Sequence, residues 1–125
     1  MQTQKTVLVV DDDDKLTNVL GDQLERAGIK ALTAKDGEEG LRSATVNKPD
    51  LILLDVMMPK MNGLQMLEKL REDSWGKDAK VILLTVVDQP DVLSKAVELG
   101  GFEYLVKTEW KIEEVIDRVK KKLGL

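Results

Sequence analysis

The chain has neither cysteine nor histidine among its 125 residues. The first absence excludes disulfide frameworks, thiolate zinc sites and cysteine nucleophiles. The second removes Ser-His-Asp triads, imidazole metal sites and any phosphohistidine carried by the chain itself. Long hydrophobic runs are also missing: the longest largely apolar stretch, Val81–Val87, is far below the roughly 18 residues of a membrane span. Met1–Lys5 is polar and Val7–Val10 is too short for the apolar core of a secretion signal, so a cytoplasmic location without membrane attachment is expected. Lys and Arg do not cluster; both signs are interleaved and the net charge is −4, which argues against direct nucleic-acid binding. What remains for chemistry is carboxylates, hydroxyls, lysine and a hard cation. Apolar residues at 42% are enough to bury one core without staples, and the length fits a single domain over residues 1–125.

Short apolar runs alternate with helical patterns along the whole chain. Thr6–Val10, Leu51–Leu54 and Val81–Thr85 are continuous rather than alternating, as parallel strands covered on both faces should be. Ala31–Ala34 and Tyr104–Val106 are weaker candidates for the second and fifth strands. Between them, Leu16, Val19, Leu20, Leu24 and Ala27 fall at helical spacing, with Asp14 as the expected N-cap and Gly28 as the stop. Further helices are expected over Glu38–Val46, Leu64–Glu72, Asp91–Leu99 and Lys111–Leu123. Five strand-then-helix units imply an α/β fold: a five-stranded parallel, doubly wound sheet of flavodoxin-like order 2-1-3-4-5 between two helical layers. The ligand crevice of that topology lies at the C-terminal ends of strands 1 and 3.

Asp11 and Asp12 directly follow the first strand, and Asp55 follows the apolar run of the third. Three carboxylates crowded at one crevice repel each other, and a hard dication such as Mg²⁺ relieves that repulsion. Thr85 ends the fourth strand and Lys107 ends the fifth, at the same edge of the sheet. Three Asp, one Lys and one Mg²⁺ sum to zero formal charge. Such a site can accept a phosphoryl group, and a carboxylate nucleophile forming an acyl phosphate is an established route. Taken alone, Asp55 reads more simply as a loop cap and Lys107 as a solvated lysine. Thr85 reads equally as a β-favouring residue, and Tyr104 is close to evenly poised between a switch and a plain strand aromatic, with the balance toward a switch. It is their convergence on one edge that favours chemistry. Asp13 either faces solvent or adds negative field to the site, and Gly63 permits a turn or a close helix approach.

The segments VLVVDDDD, LILLDVMMPKMNG, VILLT and YLVK, in this order and spacing, resemble the CheY-like receiver domain of two-component response regulators over essentially the whole chain. The resemblance implies Asp55 as phosphoacceptor, taking its phosphoryl group from the phosphohistidine of a sensor histidine kinase or phosphotransfer protein within a phosphorelay. It implies Mg²⁺, with Mn²⁺ as a substitute, held by Asp12, by Asp11 directly or through water, by Asp55 and by the Met57 backbone carbonyl. Lys107 would pair with the phosphoryl oxygens, Thr85 would hydrogen-bond one of them, and Tyr104 would follow Thr85 as a switch aromatic. The charge would then bias a surface of helix 4, strand 5 and helix 5 toward an effector protein, an effector domain of its own or a phosphorylation-dependent homodimer. The protein would be a switch catalysing its own modification, not an enzyme acting on others. Kinase docking is expected on the first helix near Lys15, Asn18 and Asp22.

Two other readings compete. Asp11 and Asp13 spell the D-x-D of haloacid-dehalogenase-type phosphatases, but Lys15 departs from that pattern and Asp55 would go unused. A phosphorylation-independent pseudo-receiver that keeps only the fold is the other alternative. Neither G-x-x-x-x-G-K-[ST] nor G-x-G-x-x-G follows the first strand, which disfavours nucleotide binding.

The chain also departs from the family pattern it resembles. Thr108 stands where the family usually has a proline joined by a cis bond. A cis bond before a non-proline residue costs about 2.5–4 kcal/mol, so a trans Lys107–Thr108 bond and a rearranged loop are expected. Val86 occupies a commonly small position, and Met57 and Val87 flank the expected phosphoryl group with apolar side chains that cannot orient an attacking water. Slow self-dephosphorylation follows. Met57→Asn and Val86→Ala should each shorten the phosphoryl half-life in a radiolabel decay assay; unchanged decay in both would defeat the shielding argument.

Overall fold

Parallel strands form only where both faces of the sheet can be covered, and the strands of this chain meet that condition. The computed structural model describes residues 4–56, 62–85, 91, 94–95, 98–99, 103–106 and 111–125. In chain order these give β1 (Thr6–Val10), α1 (Asp14–Arg26), β2 (Lys30–Ala34), α2 (Gly37–Asn47), β3 (Leu51–Asp55), α3 (Gly63–Glu72), a single 3₁₀ turn (Gly76–Asp78), β4 (Val81–Thr85), β5 (Glu103–Val106) and a C-terminal helix (Ile112–Leu123). The strands form one parallel sheet in the order β2-β1-β3-β4-β5, the order the sequence pattern predicts. Of the fourth expected helix, Asp91, Ser94, Lys95 and Glu98 are helical, and the Leu99 amide donates to the Lys95 carbonyl at 3.1 Å.

Alternate residues of each central strand enter opposite halves of the core. Leu8, Val10, Ile52, Leu54, Val81 and Leu83 pack with Ala44, Met66, Leu67 and Leu70 of α2 and α3. Val7, Val9, Leu51, Leu53, Ile82 and Leu84 pack with Leu20 and Leu24 of α1 and with Val115, Ile116 and Val119 of the C-terminal helix. The continuous apolar runs thus reflect a sheet with two buried faces. β2, at the sheet edge, is less buried, which is why its sequence signal is weak. Its Ala31 amide points away from β1 and donates to the Glu25 carboxylate at 3.0 Å.

One expectation is corrected. Asp13, not Asp14, caps α1: its extended backbone (φ −85°, ψ 100°) lets the carboxylate accept from the Lys15 and Leu16 amides at 3.1 and 3.3 Å. Asp14 is the first helical residue, too far along to reach those amides, and its carbonyl accepts from the Thr17 hydroxyl instead. The α3 start is a full capping box, Asn62 accepting from the Gln65 amide while the Gln65 side chain accepts from the Asn62 amide. Among the described residues no helix is long and apolar enough to cross a membrane.

α2 closes less comfortably. Lys48 at its C-cap is left-handed, with φ 48° and ψ 60°, and its amide donates to the Ala44 carbonyl at 2.8 Å. A side chain in that region carries a steric cost that glycine does not. Lys48→Gly should therefore raise stability by about 0.5–1 kcal/mol, read as a higher urea midpoint at unchanged m-value.

Candidate functional site

The register of three strands assembles the site. Val10 lies opposite Leu54, so Asp11, one residue on, falls beside Asp55 at the same edge of the sheet. Asp55 pairs with Leu84, and Thr85 is the next residue of β4, itself opposite Val106. The backbone thus brings Asp11, Asp55 and Thr85 to neighbouring strand ends from distant parts of the chain. Each end is tied down by main-chain bonds: Asp11 N–H to the Ala34 carbonyl at 3.0 Å, Val56 N–H to Leu84 at 3.1 Å and Gly63 N–H to Val56 at 3.0 Å.

Carboxylate oxygens of Asp11, Asp12 and Asp55 all lie within 4.8 Å of one another. Asp11 and Asp55 are buried, at 0% and 1% exposure, and Asp12 faces solvent. The Asp13 amide donates to Asp11 Oδ1 at 2.9 Å and so fixes the orientation of that carboxylate. Asp13 therefore has two parts to play: its side chain caps α1 and its main chain holds Asp11. That resolves its ambiguity and leaves a D-x-D reading without its second carboxylate, which is spent on the helix N-terminus. The role of the Asp13 amide had no signal in the sequence beyond the run of four aspartates.

The donor set is all oxygen and all anionic, partly enclosed and open on one side through Asp12. Two buried carboxylates with a third at their rim are costly together without a positive charge. A hard dication that accepts carboxylates and retains several waters fits this arrangement better than a thiophilic metal. Of the other expected site residues, Met57 and Lys107 lie outside the described residues, as do Val86, Val87 and the Lys107–Thr108 bond. Thr85 and Tyr104 are placed by their backbones in β4 and β5.

Gly63 sets the distance between α3 and the end of β3. A Cβ at Gly63 would overlap the Asp55 carbonyl oxygen and sit 2.8 Å from Val56 Cα, both backbone atoms that cannot step aside. The close approach anticipated from the sequence is thus against the candidate acceptor's own backbone. Gly63→Ala should cost about 1–3 kcal/mol of stability and, by displacing Asp55, weaken any metal binding at the acidic cluster, measured by denaturation and by calorimetric titration with Mg²⁺.

Comparison with known proteins agrees with this architecture. A family model described as "Response regulator receiver domain" matches residues 7–120. Among curated proteins, the alkaline phosphatase synthesis transcriptional regulatory protein PhoP of Bacillus subtilis (strain 168) is 40% identical over 116 residues, covering 93% of this chain and 47% of that protein. The DNA-binding dual master transcriptional regulator RpaA of Synechocystis sp. (strain PCC 6803) is 34% identical, covering 91% of this chain and 47% of its own length. The chain spans about half the length of these curated relatives. Among solved structures, the Vibrio cholerae chemotaxis protein CheY4 superposes with a TM-score of 0.88 at 28% identity, covering 95% of this chain and 98% of that one.

Proposed function

The chain belongs to the receiver domains of two-component response regulators, and from that premise we propose that Asp55 accepts a phosphoryl group from a histidine kinase or phosphotransfer protein in a Mg²⁺-dependent reaction. The observation that carries the reading is the convergence of Asp11, Asp12 and Asp55 oxygens within 4.8 Å at the edge where β1 and β3 end. In the step proposed, an Asp55 carboxylate oxygen attacks the phosphorus of the donor phosphohistidine as the P–N bond breaks. The departing imidazole keeps the electron pair of that bond and, already protonated at its other ring nitrogen, leaves neutral. Mg²⁺, held by Asp11, Asp12 and Asp55 with the Met57 carbonyl, would offset the charge of the carboxylates and the incoming phosphoryl oxygens.

The remaining work falls to the chain's own groups. Burial of Asp55 limits access of bulk water to the acyl phosphate. Fixing of Asp11 by the Asp13 amide keeps one carboxylate aimed without reorganisation at the moment of transfer. Thr85 supplies a hydroxyl donor and Lys107 a cation to the phosphoryl oxygens, and Tyr104 follows Thr85. The resulting change biases the surface formed by the fourth helical segment, β5 and the C-terminal helix. Its output is an effector protein, an effector domain or a second copy of the chain. Several relatives carry names of transcriptional regulators, which favours an effector that controls transcription. The solvent face of α1, with Lys15, Asn18 and Asp22 and the exposed Val19 beside them, is the kinase-docking surface in this reading.

Intact mass after incubation with acetyl phosphate tests the acceptor and the metal together. Wild type with Mg²⁺ should gain one phosphoryl group, and neither Asp55→Asn nor chelated wild type should gain any. A wild-type protein that forms no adduct, and no beryllofluoride complex either, would instead be a pseudo-receiver.

A further inference from the structure

Arg71 sits in the last turn of α3, where a basic residue is ordinary and complements the helix dipole. Its guanidinium is engaged far more specifically. Nε donates to the Leu99 carbonyl at 2.6 Å, and Nη1 donates to the carbonyls of Gly76 at 2.6 Å and Ala79 at 2.9 Å. Burial lowers the pKa of this guanidinium from its ordinary value, an effect opposed by the nearby Asp78 carboxylate. The group stays charged at any accessible pH.

The three carbonyls come from two separate stretches of backbone, Gly76 and Ala79 bounding one 3₁₀ turn. Leu99 follows the last helical amide bond of the fourth helical segment, Gly76 opens the 3₁₀ turn, and Ala79 leads into β4. A helix cannot satisfy its own terminal carbonyls, and here the cap comes from another helix and is charged. The opposite end of the same segment lies elsewhere: Asp91 is already helical only a short stretch after Thr85, at the sheet edge that carries the site. In sequence the Asp91 end follows soon after Thr85, and the Leu99 end is held by Arg71 beside the start of β4.

We propose that Arg71 is a positioning residue that clamps the Leu99 end of the fourth helical segment to α3 and to the entry of β4, so that a rearrangement driven from Asp55 moves the Asp91 end about a fixed Leu99 end. This rests on the reading that Asp55 is the phosphoacceptor. Arginine is needed because its planar fork reaches several carbonyls at once, whereas a lysine ammonium is a single flexible point charge. The clamp gives the switch a pivot and confines displacement to the end nearest the phosphoryl group.

Residue-resolved amide hydrogen exchange in Mg²⁺, with and without beryllofluoride, tests this in wild type, Arg71→Lys, Arg71→Met and Asp55→Asn. In wild type, beryllofluoride should alter exchange at Ser94 and Lys95 and leave Leu99 unchanged. In both Arg71 variants exchange at Leu99 should speed by about tenfold or more, the usual effect of losing a charge-assisted hydrogen bond on local opening. It should also become beryllofluoride-sensitive, while Val9 and Leu53 of the sheet stay protected. A Leu99 that responds in wild type as strongly as Ser94 overturns the pivot. So do Arg71 variants in which Leu99, Val9 and Leu53 all accelerate by one common factor, since that is loss of stability alone. Failure of the underlying reading looks different: wild type, like Asp55→Asn, would show no beryllofluoride response anywhere in the chain.

Discussion

The parallel pairing of β1 with β3, with Val10 opposite Leu54, is the constraint on which the rest depends. It sets Asp11 beside Asp55 although 43 residues of chain separate them. A slip of one residue would exchange the slipped strand's side chains between the two helical layers and move the carboxylates apart. Both consequences are resisted by the same side chains, because Val7 and Val9 face one layer of helices and Leu8 and Val10 the other. The core therefore holds the acidic edge in register. Burying two aspartates is unfavourable in itself, and here the sheet imposes it where a bound cation would relieve it.

Around that pairing, backbone groups supply much of the precision. The Asp13 amide orients Asp11, and the Asp13 carboxylate starts α1, so the first helix and the first carboxylate share one anchor. On the other side Gly63 lets α3 press against the Asp55 carbonyl, so the third helix and the second carboxylate are also joined directly. The acidic edge is thus bounded by two helix starts. A shift in either helix reaches a carboxylate without passing through a flexible side chain.

The fold was legible because its central strands are apolar on both faces, a pattern that few other arrangements explain. The edge strand β2 was faint for the same reason, since only part of it is buried. Asp11, Asp12 and Asp55 were legible as a group because the topology predicts where strand ends meet. The cap of α1 was misplaced by one residue, since four consecutive aspartates offer equal side chains and only the backbone angles of Asp13 choose among them. Arg71 was not singled out at all. Its partners are main-chain carbonyls, and carbonyls leave no mark in a sequence. Lys107 was placed at the same edge by the expected end of the fifth strand, whereas Met57 entered only through resemblance to a family.

The bond between the Glu25 carboxylate and the Ala31 amide has a consequence of its own. An outer strand with unoccupied amides is an invitation to any extended chain that meets it. Here the last turn of α1 reaches down and occupies one of those amides with a negatively charged side chain. A second strand arriving on that side would have to evict a carboxylate and leave it facing a carbonyl-rich edge. Growth of the sheet beyond β2 is discouraged, and association on that flank is left to the surfaces of helices.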